Sequence, residues 1–210
     1  MENREKFFAR LREAPASALF SSEDVARIEM AYDLAKYAHR AQGRKDGERY
    51  FEHPRRVALW LIDGLELYDL PAMIAALLHD AYEDCPQYVA PEKARILGGV
   101  EAERMLRLLS KVPKEGYVDR LRRHADWKTL AIKLCDRYDN ISSLDALPVE
   151  FQRKQIDETR DIYLPLFDHL QAVAPPSHRD TVRNLALRLE CSVVKWAEAL
   201  GLKFPPQALE

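Results

Sequence analysis

From Pro71 to Leu78 the chain reads PAMIAALL, without a polar side chain, and it then presents His79, Asp80, Glu83 and Asp84 in quick succession. Pro71 suits the first turn of a helix, where its missing N–H costs nothing. A helix apolar all round is predicted to be buried on every side. An imidazole and three carboxylates at the end of such a helix need partners, because unpaired charge in a low-dielectric interior is expensive. His79 and Glu83 are four residues apart, as are Asp80 and Asp84, so each pair shares a helix face. Pro86 ends the run. This pattern points to a metal site that carries its own acid/base groups.

At 210 residues, 47% hydrophobic and 31% charged, the chain can bury a sizeable core and suits one domain. A formal net charge of −2 gives no sign of a nucleic-acid partner, so a polyanionic substrate would need a local basic cluster. No apolar stretch is long enough to span a bilayer, and the charged start MENREKFFARLRE is unlike a secretory signal. Cys85, Cys135 and Cys191, odd in number and without CxxC spacing, do not form a disulfide framework. A reducing cytoplasm is the expected compartment, with no membrane partner.

Ser21 and Asp24 supply helix-start chemistry, and Val25, Ile28, Tyr32 and Ala35 recur at helical spacing as far as His39. Residues 42–50, QGRKDGERY, are aperiodic and read as a loop. Pro54 places His53 at or beside the start of the next helix, which Asp63 and Gly64 close. Helices follow over 71–84, about 94–109, about 118 onward, 127–144, 149 to about 170, and 180–200, with Pro165 predicting a kink or break. No strand, Gly-rich phosphate loop or repeat stands out. The expected fold is all-α, one domain of roughly eight helices.

Four residues from three of these helices form the expected ligand set: His53, His79, Asp80 and Asp136. Two imidazoles and two carboxylates suit Mn²⁺, Fe²⁺, Co²⁺ or Zn²⁺ better than Ca²⁺. Glu83 and Asp84 would hydrogen-bond the attacking water and the leaving oxygen. His39, His124, His169 and His178 are read as packed or solvated, as histidines on helices usually are.

His53-Pro54, His79-Asp80-x-x-Glu83-Asp84 and Lys133-Leu134-Cys135-Asp136-Arg137 with Asn140 together resemble the HD-domain hydrolases of the RelA/SpoT type. The likeness runs from about Tyr37 to Pro165, including GRKDGERYFEHP and ETRDIYLPL. It implies an all-α hydrolase, usually manganese-dependent, that removes pyrophosphate from the 3′ position of guanosine alarmones such as ppGpp. It further implies an HD-type domain over 21–174, with 1–20 as an N-terminal extension and 175–210 as a C-terminal helix packed on that domain. Carried over, His53, His79, Asp80 and Asp136 hold the metal, Glu83 and Asp84 are catalytic, and Arg44, Lys45, Asn140 and Ser143 bind substrate. Arg153 and Lys154 are read as surface charges.

Three positions depart from the family pattern. Asp46 replaces a small hydroxyl in RKSGEPY, Arg137-Tyr138-Asp139-Asn140 stands for RLHN, and Cys85 replaces a threonine. The ligands are untouched, so the departures bear on which nucleotide is accepted. The alternatives are NADPH, by 2′-phosphate removal as in some animal relatives, another nucleotide, or a catalytically silent metal- or nucleotide-binding module.

Overall fold

The structure, a computed structural model, describes residues 3–13, 20–44, 47–145 and 147–202. Among them the chain is all-α. Its helices are α1 (Asn3–Arg12), α2 (Ser22–Ala38), α3 (Glu52–Asp63), α4 (Leu70–Asp84), α5 (Pro91–Leu109), α6 (Tyr117–His124), α7 (Trp127–Ser142), α8 (Val149–Glu158), α9 (Leu164–Val173) and α10 (Arg179–Ala199). The expected all-α fold of roughly eight helices is the one observed, with two refinements. α1 was not separated from its charged surroundings in sequence, yet it buries Phe7, Phe8 and Leu11. The single helix expected over 149 to about 170 is α8 and α9, joined by a π-helical turn, Thr159–Tyr163. That turn bonds the Leu164 N–H back to Thr159 O, just before Pro165, which has no N–H to give.

α4 is the axis of the bundle. Asp69 caps it by accepting the Ala72 N–H at 3.0 Å. Ala72 to His79 are all buried, as the unbroken apolar run requires. α5, α2, α3 and α7 pack around α4. α2 begins with the capping box read from Ser21 and Asp24. At the C-terminal side, α10 lies along α7, where Trp196 Nε1 donates to Ile141 O at 3.0 Å.

The α4–α5 approach depends on one residue without a side chain. A Cβ on Gly98 would stand 2.7 Å from Ala102 Cβ and 3.1 Å from Ile74 Cβ. Neither neighbour is a flexible side-chain end, so the helices would have to move. Gly98→Ala is expected to destabilise the fold by about 1–3 kcal/mol, as overpacking of a filled core does. Thermal unfolding checks this, and an unchanged midpoint would show that α5 is free to shift.

Candidate metal centre and its cavity

Three helices deliver the site. His53 comes from the first turn of α3, His79 and Asp80 from the last turns of α4, and Asp136 from the middle of α7. His53, His79 and Asp136 are buried, and each offers a ligand atom within 4.8 Å of the other two. His53 Nε2 lies 3.1 Å from Asp136 Oδ1. Asp80 contacts both imidazoles, with Oδ2 3.5 Å from His53 Nε2 and Oδ1 3.2 Å from His79 Nε2.

The two imidazoles are aimed by bonds at their opposite nitrogens. His79 Nδ1 donates to Ala76 O at 2.8 Å, which leaves the Nε2 lone pair facing the cluster. That Nε2 is buried and has no hydrogen-bond partner. A buried acceptor left unsatisfied among carboxylates is the signature expected of a cation ligand. His53 Nδ1 bonds Asp139 Oδ2 at 2.7 Å, turning its Nε2 toward Asp136 and Asp80. These donors fit a divalent cation.

Charge is balanced around the cluster. Burial of His53 opposes its charged form, yet hydrogen bonds accepted by Asp136 and Asp139 and the charge of Asp80 outweigh burial and push its pKa up to about 9. Burial would raise the Asp136 carboxyl too, but the Lys133 ammonium and the hydrogen bond from His53 hold it well below the usual range. Lys133 Nζ donates to Asp136 Oδ2 at 2.5 Å, so Oδ1 is the oxygen left for the imidazole side, where Asn140 Nδ2 also donates to it at 2.7 Å. Tyr50 donates its O–H to Asp80 Oδ2 at 3.0 Å.

A cavity of about 390 Å³ opens beside the cluster. Arg44, Lys111, Asn140, Ser143, Phe151 and Glu158 are among its lining residues. Arg44 Nη2 lies 3.4 Å from Asn140 Oδ1 and 3.5 Å from Ser143 Oγ, so three of the sequence-predicted substrate residues face one another. The fourth, Lys45, and the departure at Asp46 lie outside the described residues. Glu83 Oε2 accepts the Lys111 backbone N–H at 2.8 Å and so fixes a residue of the cavity wall. Asp84 is exposed on α4, and partial desolvation with the charges of Asp80 and Glu83 raises its pKa.

Tyr50, Lys133, Asp139 and Arg56 were given no site role in sequence. Spacing held part of the signal, because Lys133 and Asp139 each sit three residues from Asp136 on α7, whereas Tyr50 precedes α3 and meets Asp80 only through the fold. Arg153 and Lys154 are exposed. His39 is buried and stacks on Tyr50 with ring centroids 4.7 Å apart. Cys85 is buried, its Sγ 3.4 Å from Ala38 O, and fills space.

The chain is similar to known proteins in sequence and in fold. Over 156 residues, 68% of this chain and 21% of the relative, it is 35% identical to a guanosine-3′,5′-bis(diphosphate) 3′-pyrophosphohydrolase of Aquifex aeolicus. Over 160 residues, 70% of this chain and 22% of the relative, it is 33% identical to the bifunctional (p)ppGpp synthase/hydrolase SpoT of Escherichia coli. The chain thus spans about a fifth of the length of these curated relatives. A solved structure described as a metazoan ortholog of SpoT that hydrolyzes ppGpp superposes with a TM-score of 0.59 at 24% identity, covering 89% of this chain and 100% of the other. That likeness is one of fold. The HD domain model matches residues 31–172, a span that holds every described residue of the metal cluster and the cavity wall named above. With that match laid over two histidines and two aspartates converging from three helices, the chain belongs to the HD-domain family.

Proposed function

We propose that this chain is a divalent-cation-dependent phosphohydrolase that removes pyrophosphate from the 3′ position of guanosine alarmones such as ppGpp. The observation that carries the cation part is the unpartnered Nε2 of His79, buried beside His53, Asp80 and Asp136. The substrate part is supported by the names of the relatives and by a cavity with basic, amide and hydroxyl groups along one side.

His53, His79, Asp80 and Asp136 would hold the ion, and manganese is the metal that the family resemblance favours. Such an ion polarises a phosphoryl oxygen and makes a nearby water more acidic. The protein's own groups do the rest. Arg44 offers a planar guanidinium for the base or phosphate, next to Asn140 and Ser143. Lys111 adds positive charge to the wall, its backbone fixed by Glu83. Water adds to the 3′ phosphorus, the bond from phosphorus to the ribose oxygen breaks, and GDP and pyrophosphate form from ppGpp. Glu83 and Asp84 take the water's proton and return one to the ribose oxygen. The raised pKa of Asp84 suits a group that must carry a proton at some point in the cycle.

Purified protein with Mn²⁺ is expected to release pyrophosphate from ppGpp and pppGpp in preference to phosphate from NADPH. Asp80→Ala and Glu83→Ala are each expected to abolish turnover. Turnover surviving both substitutions would remove the mechanism, and faster release from NADPH would move the substrate to the dinucleotide.

A further inference from the structure

Asp139 is 3% exposed, accepts hydrogen bonds from two side chains and pairs with the charge of a third. His53 Nδ1 lies 2.7 Å from its Oδ2, Arg56 Nε donates to Oδ1 at 2.7 Å, and Arg56 Nη2 reaches Oδ2 at 3.2 Å. Arg44 Nη1 lies 3.6 Å from the same Oδ2. Beyond it, Arg56 Nη1 donates to Glu48 Oε2 at 2.6 Å. Glu48 in turn accepts the Arg44 N–H through its backbone oxygen at 2.7 Å, within a loop pinched by the Gly43–Arg49 bridge. An unbroken series of polar contacts therefore runs from the loop that carries Arg44 to an imidazole of the metal cluster.

We propose that Asp139, braced by Arg56, is a positioning residue that fixes the tautomer of His53 and seats the Arg44 loop against the cavity. This rests on the assignment of the cluster as a cation centre. A histidine binds a cation through one nitrogen only when the proton sits on the other, and a carboxylate at Nδ1 holds it there. Arginine always carries its charge, so Arg56 keeps Asp139 anionic and its two oxygens in plane with the guanidinium. The RLHN motif that this stretch resembles has a histidine where Asp139 stands. An imidazole has a single acceptor nitrogen and could not receive His53, Arg56 and Arg44 together. Asp139 and Arg56 thus act as a pair particular to this arrangement, through His53 and the loop rather than on substrate.

The test is calorimetric titration of Mn²⁺ into the full chain, with steady-state kinetics on ppGpp. Asp139→Leu is expected to weaken Mn²⁺ binding by about ten- to a hundredfold, the usual range for losing the partner of a metal-bound histidine. Asp139→Asn keeps one acceptor for His53 and is expected to fall between. Arg56→Met leaves the Asp139–His53 contact but loosens it, and is expected to weaken Mn²⁺ binding less than Asp139→Leu does while raising KM, as the loop loses its anchor. If Asp139 served only to neutralise the half-buried Arg56, the double variant Asp139→Leu/Arg56→Met would regain wild-type affinity, and that result overturns the proposal. Wild-type affinity in both Asp139→Leu and Asp139→Asn overturns it as well. A wild-type chain that takes up no Mn²⁺ overturns the cation centre itself, which is a separate result.

Discussion

Asp136→Asn is expected to lower turnover about 10³-fold or more and to abolish measurable Mn²⁺ uptake. Loss of a cation's charge stabilisation is worth several kcal/mol, and each 1.4 kcal/mol is about tenfold in rate. The carboxylate of Asp136 serves two neighbours at once. Oδ1 faces His53 Nε2 and accepts from Asn140, while Oδ2 holds the buried ammonium of Lys133. An asparagine removes the charge and sets an amide N–H₂ against either the ammonium or the imidazole.

The same substitution is expected to cost stability, because Lys133 is only 4% exposed and would lose its counter-ion. Breaking one side of a buried pair costs about 3–5 kcal/mol. Asp80→Asn separates the two effects. The Asp80 side chain is 25% exposed and pairs with no ammonium among the described residues, so its replacement should remove turnover with much less loss of stability. Activity assays with thermal unfolding of both metal-free variants check this. Turnover above about a tenth of wild type in Asp136→Asn would exclude Asp136 as a ligand.

Mn²⁺ affinity should rise steeply with pH between 6.5 and 8.5. With Asp136, Asp139 and Asp80 around it, His53 holds its proton up to about pH 9 in the cation-free protein. A ligand nitrogen must give that proton up, so cation and proton compete for Nε2. Below about pH 9 each unit of pH is worth about a factor of ten in affinity, and the gain levels off above it. Titrations in buffers of different ionisation enthalpy should count about one proton released per ion bound at neutral pH.

The stability of the cation-free fold follows the opposite sign. The folded pKa lies above the unfolded value of 6.5, so the His53 contribution is fully present below about pH 6.5 and is lost as pH rises through about 9. Cation-free protein should therefore weaken at alkaline pH, and added Mn²⁺ should restore it by mass action. Affinity that stays flat between pH 7 and 8.5 would mean that His53 is already neutral and that the surrounding carboxylates do not charge it.

The amino-acid sequence by itself marked out most of the helices and a set of candidate ligands. A polar-free run opened by proline and built from Ala, Leu, Ile and Met favours a buried helix, and spacing of three or four along a helix dictates which side chains share a face. His79 and Asp80 stand out as candidates for that reason and Asp136 through the Lys133–Asn140 stretch that resembles the family, while the capping box at Ser21 follows from its spacing to Asp24. The tertiary structure alone decided what each charge is for. Asp139 reads as a mere departure from a motif until His53, 86 positions away in the chain, turns out to bond it at 2.7 Å. Glu83 and Asp84 look alike in sequence, yet one holds the Lys111 backbone 28 positions away and the other stands exposed with a raised pKa. Helical periodicity reports neighbours within one turn. The energy of a buried charge is set by partners on other helices, and only packing brings those together.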